Sequence, residues 1–287
     1  MKKRDFTFMT MTIPALVLFF TFHTLPALKG IFYSFTNWKG YGSWEFVCLK
    51  NYANLLVDKR LVNAYLFTFK IAIITTIAVN VFSLIIAMAL NSNVKFKTGF
   101  RGLYFIPKIL GVLIVGYIFS FLFNHFVPEI GQALGIKVLS KSILGQPKLA
   151  WLGIMFVTAW QSIAMQTIIY LSGLQTIPKE VYEACSIDGA SKWKEFWKIT
   201  FPLIAPFFTI NMVLAMRDFL MIFDQIIAMT NGGPGYATES ITVMIYRGGF
   251  LGSQFAYQSA NAVILFIVIL LVSLLQLKIL RKREADI

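Results

Sequence analysis

The chain has 287 residues, of which 57% are hydrophobic and only 14% charged, and its mean hydropathy is +0.71. An average soluble domain is about half apolar and about a quarter charged, so a soluble fold of this length would leave much of its apolar side-chain surface in water. The net charge of +13 raises nucleic-acid binding, because basic patches are the footprint of phosphate binders, but the basic residues flank apolar runs and do not gather on one face.

Crossing a bilayer as a helix takes about 20 apolar residues. Candidate runs lie at 11–35, 64–90, 103–124, 149–172, 203–229 and 258–280, each bounded by charges or by Gly, Pro and Asn. Runs this long are compatible only with helices, since hydrocarbon offers no partner for free backbone groups. The expected fold is therefore all-α and integral to the membrane, with six transmembrane helices. The first run carries Pro14 and Pro26 and exceeds the apolar core of a signal peptide, so it reads as a retained helix.

An even number of spans places both termini on one side, and the positive-inside bias assigns that side. With the termini in the cytoplasm, the inner segments hold Lys2, Lys3 and Arg4, then Lys95, Lys97 and Arg101, then Lys179, Lys192, Lys194 and Lys198, then Lys278, Arg281, Lys282 and Arg283. The outer segments hold fewer of the 26 basic residues. Cys48 and Cys185 then fall on opposite sides and cannot pair. The outer segments 36–61 and 125–148 are too short for an external domain.

Signatures of catalysis are missing: the chain has no phosphate-binding G-x-x-x-x-G-K-[ST], no G-x-G-x-x-G, no H-E-x-x-H and no C-x-x-C. His23 and His125 are the only histidines. The glycines between Thr230 and Phe250 lack the following helix start that a phosphate cradle needs, and read as an external loop folded near the mouth of a pore.

The stretch from Ile177 to Pro206, IPKEVYEACSIDGASKWKEFWKITFPLIAP, carries the most information. Pro178 suits a first helical turn. The spacing then puts Val181, Ala184, Cys185 and Ile187 toward one apolar side. Asp188-Gly189 breaks the run, with Asp188 available to cap the next helix. A second amphipathic segment, with Trp193, Phe196, Trp197 and Ile199 as its apolar side, ends at Pro202. A helix, a turn and a helix projecting from the bundle make a compact protrusion suited to docking.

Within this stretch Glu183-Ala184, Gly189 six positions on, Ile199 ten further and Pro202 three beyond that resemble the EAA loop of ATP-binding-cassette importer permeases. Asp188-Gly189-Ala190, Phe196 and Pro206 resemble the sugar-importer branch related to the maltose permeases. The likeness extends to Phe46-Val47-Cys48-Leu49-Lys50-Asn51-Tyr52 with Leu55, Leu56 and Asp58, to Phe105-Ile106-Pro107, and to Phe223-Asp224 followed by Thr230-Asn231-Gly232-Gly233-Pro234. Cys185 departs from the third residue of the triplet, Cys48 from a usual Gly and Phe201 from a usual Leu; the Glu and the Gly are kept.

The resemblance implies a cytoplasmic helix-turn-helix coupling loop over 173–206, with Glu183, Ala184, Cys185, Asp188, Gly189 and Ala190 at the contact with an ATPase dimer, and with the two Trp rings bracing the loop on its own bundle. It further implies a second permease subunit, an external solute-binding protein, a sugar-like substrate and a bacterial plasma (inner) membrane. No cofactor or metal is expected on this chain; ATP and Mg would sit on the partner ATPase. Residues 1–60 would supply the cytoplasmic N-terminus, the first span and a short external segment, and 61–285 the importer transmembrane domain.

The solute path is sought among polar groups in the spans. An ionised side chain at the bilayer centre costs about 3 kcal/mol on insertion scales and is expected to face protein or water. Arg217, residue 221 and Asp224 fall along one helical stripe of the fifth run, with Arg217 and Asp224 two turns apart on the same side. Thr76, Asn80, Asn124 and Gln161 add hydrogen-bonding groups suited to a sugar, although such residues also join helices to one another. A glycerol-phosphate or polyol importer shares these motifs. A stand-alone secondary carrier would show repeated halves around a central site, and none is visible here.

Overall fold

The structure, a computed structural model, describes residues 3–92, 99, 102 and 106–285, and side chains from 10 to 282 within those ranges. Among the described residues there are no named strands, only one isolated bridge, between Thr36 and Phe46. Six helices are long and apolar enough to span a membrane: α1 (Thr10–Tyr33), α3 (Lys59–Asn91), α4 (Val112–Ala133), α5 (Ala150–Gln175), α7 (Lys192–Leu220) and α10 (Phe255–Ala285). Shorter helices are α2 (Lys50–Val57), α6 (Lys179–Ile187), α8 (Asp224–Met229) and α9 (Ile241–Leu251).

Four of these helices contain a single π turn: Phe20–Thr24, Leu122–Phe126, Phe196–Thr200 and Arg247–Leu251. The widened turns explain two departures from the expected boundaries. The third span does not stop at 124 but runs through the turn at Leu122–Phe126, with Pro128 accepted in the helical turn that follows. It opens on Gly111, whose extended ψ of 134° makes it the cap, so the described helix lies further along the chain than 103–124; 103–105 lie outside the described residues. Likewise the loop segment expected to end at Pro202 continues into the fifth span. Pro202 follows the turn at Phe196–Thr200, inside the first turn of the next α-helical stretch, where a missing N–H is tolerated.

The chain divides into two compact units. One comprises residues 1–62 and 244–268. Its centre is aromatic: Tyr33 stacks on Trp38 at 4.1 Å, Trp38 meets Phe255 at 4.9 Å and Phe32 meets Trp44 at 5.3 Å. Asn51 fastens the segment after α1 by donating to the carbonyls of Ser34 and Thr36 at 2.8 and 2.7 Å. Asp58 caps α3, its Oδ1 accepting from the amides of Arg60 and Leu61, while its Oδ2 accepts from Tyr257 Oη at 2.9 Å.

The other unit comprises 63–243 and 269–287. Its core runs in three clusters: Ile71, Val115, Ile154, Val157 and Ile226; then Ala72, Val79, Ala215 and Leu220; then Ala87, Tyr170, Leu174 and Ile204. Small residues bring helices together, as they do where lipid offers no competing hydrophobic drive: a Cβ on Gly116 of α4 would lie 2.5 Å from that of Ala228 on α8.

The fifth run is not one helix. α7 ends at Leu220, Met221 to Phe223 leave helical geometry, and Asp224 opens α8. The freed carbonyl of Ile222 is met from a distance, by Ser240 Oγ at 2.9 Å and Thr242 Oγ1 at 2.5 Å. Thr68 Oγ1 in turn accepts the Ile241 amide at 3.1 Å. Backbone outside helices within an apolar run is tolerated only where protein supplies its partners. The end of the glycine-rich segment, expected as an outer loop, is thus folded inward, with Thr238, Glu239, Ser240, Ile241 and Val243 buried.

Candidate functional site

The loop between α5 and α7 is built by local chemistry. Thr176 closes α5, its Oγ1 donating to the Gly173 carbonyl at 2.7 Å. Pro178 stands at the N-cap of α6 with ψ of 145°, one position before the first turn expected for it. The far end of α6 is a Schellman turn: the amide of Ala190 donates to the Cys185 carbonyl at 3.0 Å and that of Gly189 to Ser186 at 3.2 Å. This geometry needs a left-handed residue after the cap, and Gly189 supplies it with φ of +69°. Asp188 is the C-cap of α6, and the next helix is capped by Ser191, whose Oγ accepts from the Lys194 amide at 3.4 Å, instead of by Asp188.

Burial divides the apolar residues of this loop in a way the spacing did not reveal. Val181, Tyr182 and Cys185 turn inward, with Val181 and Tyr182 packed on the Ala87–Tyr170–Ile204 cluster. Glu183, Ala184, Asp188 and Gly189 face outward, and Ala190 is half-buried. Ile187 is 86% exposed and Trp193 72% exposed. The tryptophans therefore do not brace the loop on its own bundle. Their rings run along the outside of α7 instead, Trp193 to Trp197 at 5.7 Å, Trp197 to Phe201 at 5.3 Å and Phe201 to Phe208 at 5.4 Å. Around Gly189 nothing lies within 4 Å of where a Cβ would be, so the turn offers bare backbone beside the carboxylates of Glu183 and Asp188 and two large apolar side chains.

The polar residues of the spans fall into two groups. One is buried and joins helices. Tyr170 Oη of α5 donates to Asn80 Oδ1 of α3 at 2.6 Å, Asn80 Nδ2 donates to the Thr76 carbonyl at 2.8 Å, and Asn211 Nδ2 of α7 reaches the Gln166 carbonyl at 3.1 Å. Gln161 Nε2 donates to the Pro107 carbonyl at 3.3 Å. Buried beside these, Thr76 Oγ1, Gln161 Oε1 and Gln166 Oε1 have no hydrogen-bond partner among the described residues.

The second group is exposed on the chain: Arg217 and Asp218 in the last turn of α7, Asp224 in the first turn of α8, and Lys108. The break at Met221–Phe223 means that Arg217 and Asp224 do not share a continuous helical stripe, which corrects the arrangement inferred from spacing. Lys108 is a further member that spacing did not single out. Asn124 lies in the π turn of α4, accepting from Ser142 Oγ at 2.5 Å and donating to Ser120 Oγ at 3.3 Å.

Six long apolar helices, the fifth followed by a break in its apolar run, with an exposed helix-turn-helix between the fourth and fifth, define a polytopic membrane protein of the importer-permease fold. The same fold is found in a chain of a bacterial ABC transporter involved in import of the acidic polysaccharide alginate, with a TM-score of 0.84 over 98% of this chain and 96% of that one, at 19% identity. The chain belongs to the family of binding-protein-dependent transport system inner membrane components, whose model matches residues 79–285. It is 41% identical to the multiple sugar-binding transport system permease protein MsmF of Streptococcus mutans, across 96% of this chain and 95% of that protein. It is 34% identical to a probable starch degradation products transport system permease protein, AmyD, of Thermoanaerobacterium thermosulfurigenes, across 91% and 89%.

Proposed function

We propose that this chain is the permease subunit of an ATP-driven importer that carries a carbohydrate-like solute across a bacterial cell membrane, and that the α6–α7 turn is where ATP hydrolysis on another subunit is coupled to it. The carrying observation is the exposed surface of that turn: Glu183, Ala184 and Gly189 side by side with Ile187 and Trp193. Large apolar side chains left in water beside an unobstructed backbone turn are the anatomy of an interface core. Glu183 and Asp188 give that surface negative charge to set orientation, and Cys185, buried behind it, holds α6 against the bundle. Residues 61–285 form the transmembrane domain and 1–60 an N-terminal addition, with both termini and the loop 173–206 in the cytoplasm.

In this reading an ATPase dimer binds ATP and Mg, a second permease completes the pathway, and an external binding protein delivers the solute. Arg217, Asp224 and Asn124 face the pathway, whereas Thr76, Asn80 and Gln161 stand behind it as the polar seam that joins α3, α5 and the segment that leads into α4. The relatives named for multiple sugars and for starch products support the solute class. The test is Glu183→Lys. Membrane insertion and chain abundance should be unchanged, while copurification of the ATPase and solute uptake are lost together; an intact complex with normal uptake would remove the loop from coupling.

A further inference from the structure

The inner half of α7 and the last turns of α10 leave an open groove of about 280 Å³ between them. Its walls are Pro206, Thr209, Ile210, Val213 and Leu214 on one side and Leu277 on the other, with Arg281 at one end; Thr209 is buried, so the exposed walls are apolar. From Pro206 to Leu214 the groove follows eight residues of helix, about 12 Å at 1.5 Å per residue, close to the ~15 Å depth of hydrocarbon in one leaflet. Ile210 is 48% exposed and Leu214 39% exposed, so the walls are open to whatever surrounds the chain. The neighbouring surface of α10 continues this character, with Leu270, Leu271, Leu274 and Leu275 all exposed.

Charge distinguishes the two ends. Lys278, Arg281 and Lys282 are all exposed, and their spacing of three and four puts them on one side of α10. No carboxylate of residues 10–282 whose side chains are described lies within 4 Å of any of them. The groove is thus apolar along its length and cationic at the end where α10 leaves the hydrocarbon, which is the shape and polarity of one acyl chain attached to an anionic headgroup. Basic pockets between spans at a membrane surface bind such headgroups.

We infer that the α7–α10 groove holds an anionic phospholipid, its chain along Ile210 and Leu214 and its phosphate on Arg281 with Lys278 and Lys282. A second protein chain seated there would have to bring its own carboxylate to the same end. The lipid reading does not depend on what the protein transports.

The experiment is native mass spectrometry of the full chain with the subunits that copurify, titrated with phosphatidylglycerol and, separately, phosphatidylcholine. Saturable binding of phosphatidylglycerol over phosphatidylcholine is expected. Arg281→Gln should weaken it about fivefold, and Lys278→Gln with Arg281→Gln and Lys282→Gln about 100-fold, at about a fivefold loss for each charge near the surface. Ile210→Trp, which fills the groove and leaves the cations intact, should reduce it at least tenfold. Equal binding of the two lipids, or phosphatidylglycerol binding unmoved by Ile210→Trp, overturns the assignment. Loss of a copurifying permease in Ile210→Trp also overturns it, because the groove is then a subunit interface.

Discussion

Replacing Gly189 separates the conformational requirement of the α6–α7 turn from the contact requirement proposed for it. The residue sits at φ of +69°, a region that costs an ordinary L-residue about 1–2 kcal/mol, that Asn visits more readily and that a β-branched residue strongly avoids. Space is not limiting within the chain, since a Cβ there meets nothing within 4 Å. The stability order expected is therefore Gly, then Asn, then Ala, then Val. With ~1 kcal/mol lost from a typical ~5–15 kcal/mol, Asn and Ala leave the chain folded. The Schellman bonds from Ala190 to Cys185 and from Gly189 to Ser186 use backbone atoms only and persist in both. A partner pressed against bare backbone responds to size instead, and every 1.4 kcal/mol of lost docking energy is tenfold in affinity. Asn discriminates between the two requirements, being conformationally mild and sterically large. Gly189→Asn should keep chain abundance and thermal stability near those of the parent while uptake in proteoliposomes falls more than tenfold and the ATPase copurifies poorly. Uptake that falls only in step with the amount of folded chain, in the order Asn, Ala, Val, would refute the contact role.

Two other predictions concern orientation and the pathway. Cys48 is exposed and Cys185 buried, so a membrane-impermeant maleimide added to intact cells should label Cys48 readily; in inside-out vesicles Cys185 should label slowly, and faster in Val181→Ala, which loosens the inner face of α6. Labelling of both cysteines from the same side overturns the six-span orientation. Asp224→Ala and Arg217→Ala should each change solute preference or apparent affinity while the complex stays assembled; disassembly in both, with unchanged preference in the remainder, makes these residues part of a subunit interface.

Hydropathy made the six spans legible because hydrocarbon imposes one requirement on every residue of a run. Asp188-Gly189 was legible as a turn because its left-handed residue is a glycine and the motif is local. The interruption of the fifth run was not. Met221, Ile222 and Phe223 are as apolar as their neighbours, and neither Gly nor Pro marks the site. The break is stabilised by Ser240 and Thr242, 18 and 20 residues further on, so no window along the run contains the cause. The π turns were hidden for a related reason, since a one-residue widening leaves composition unchanged. The exposure of Trp193 and Ile187 was hidden because helical spacing says which residues share a side but not whether that side meets the chain's own bundle.

Taken over the whole chain, side-chain satisfaction sorts the polar groups of the spans by role. Asn80, Tyr170 and Asn211 find partners inside the bundle, and an interhelical bond of this kind is worth only ~0.6–2 kcal/mol, enough to fix helix register. Arg217 and Asp224 are exposed instead, and an ionised group facing hydrocarbon costs more than such a bond returns. The pathway reading proposed above accordingly has this face closed by water or by another subunit. The α7–α10 groove has the opposite signature, apolar along its length and cationic only at its end, and is compatible with lipid. In the reading proposed above, the two faces of α7 thus meet different environments: the end that carries Arg217 meets the pathway, and the stretch where Ile210 and Leu214 are exposed meets lipid.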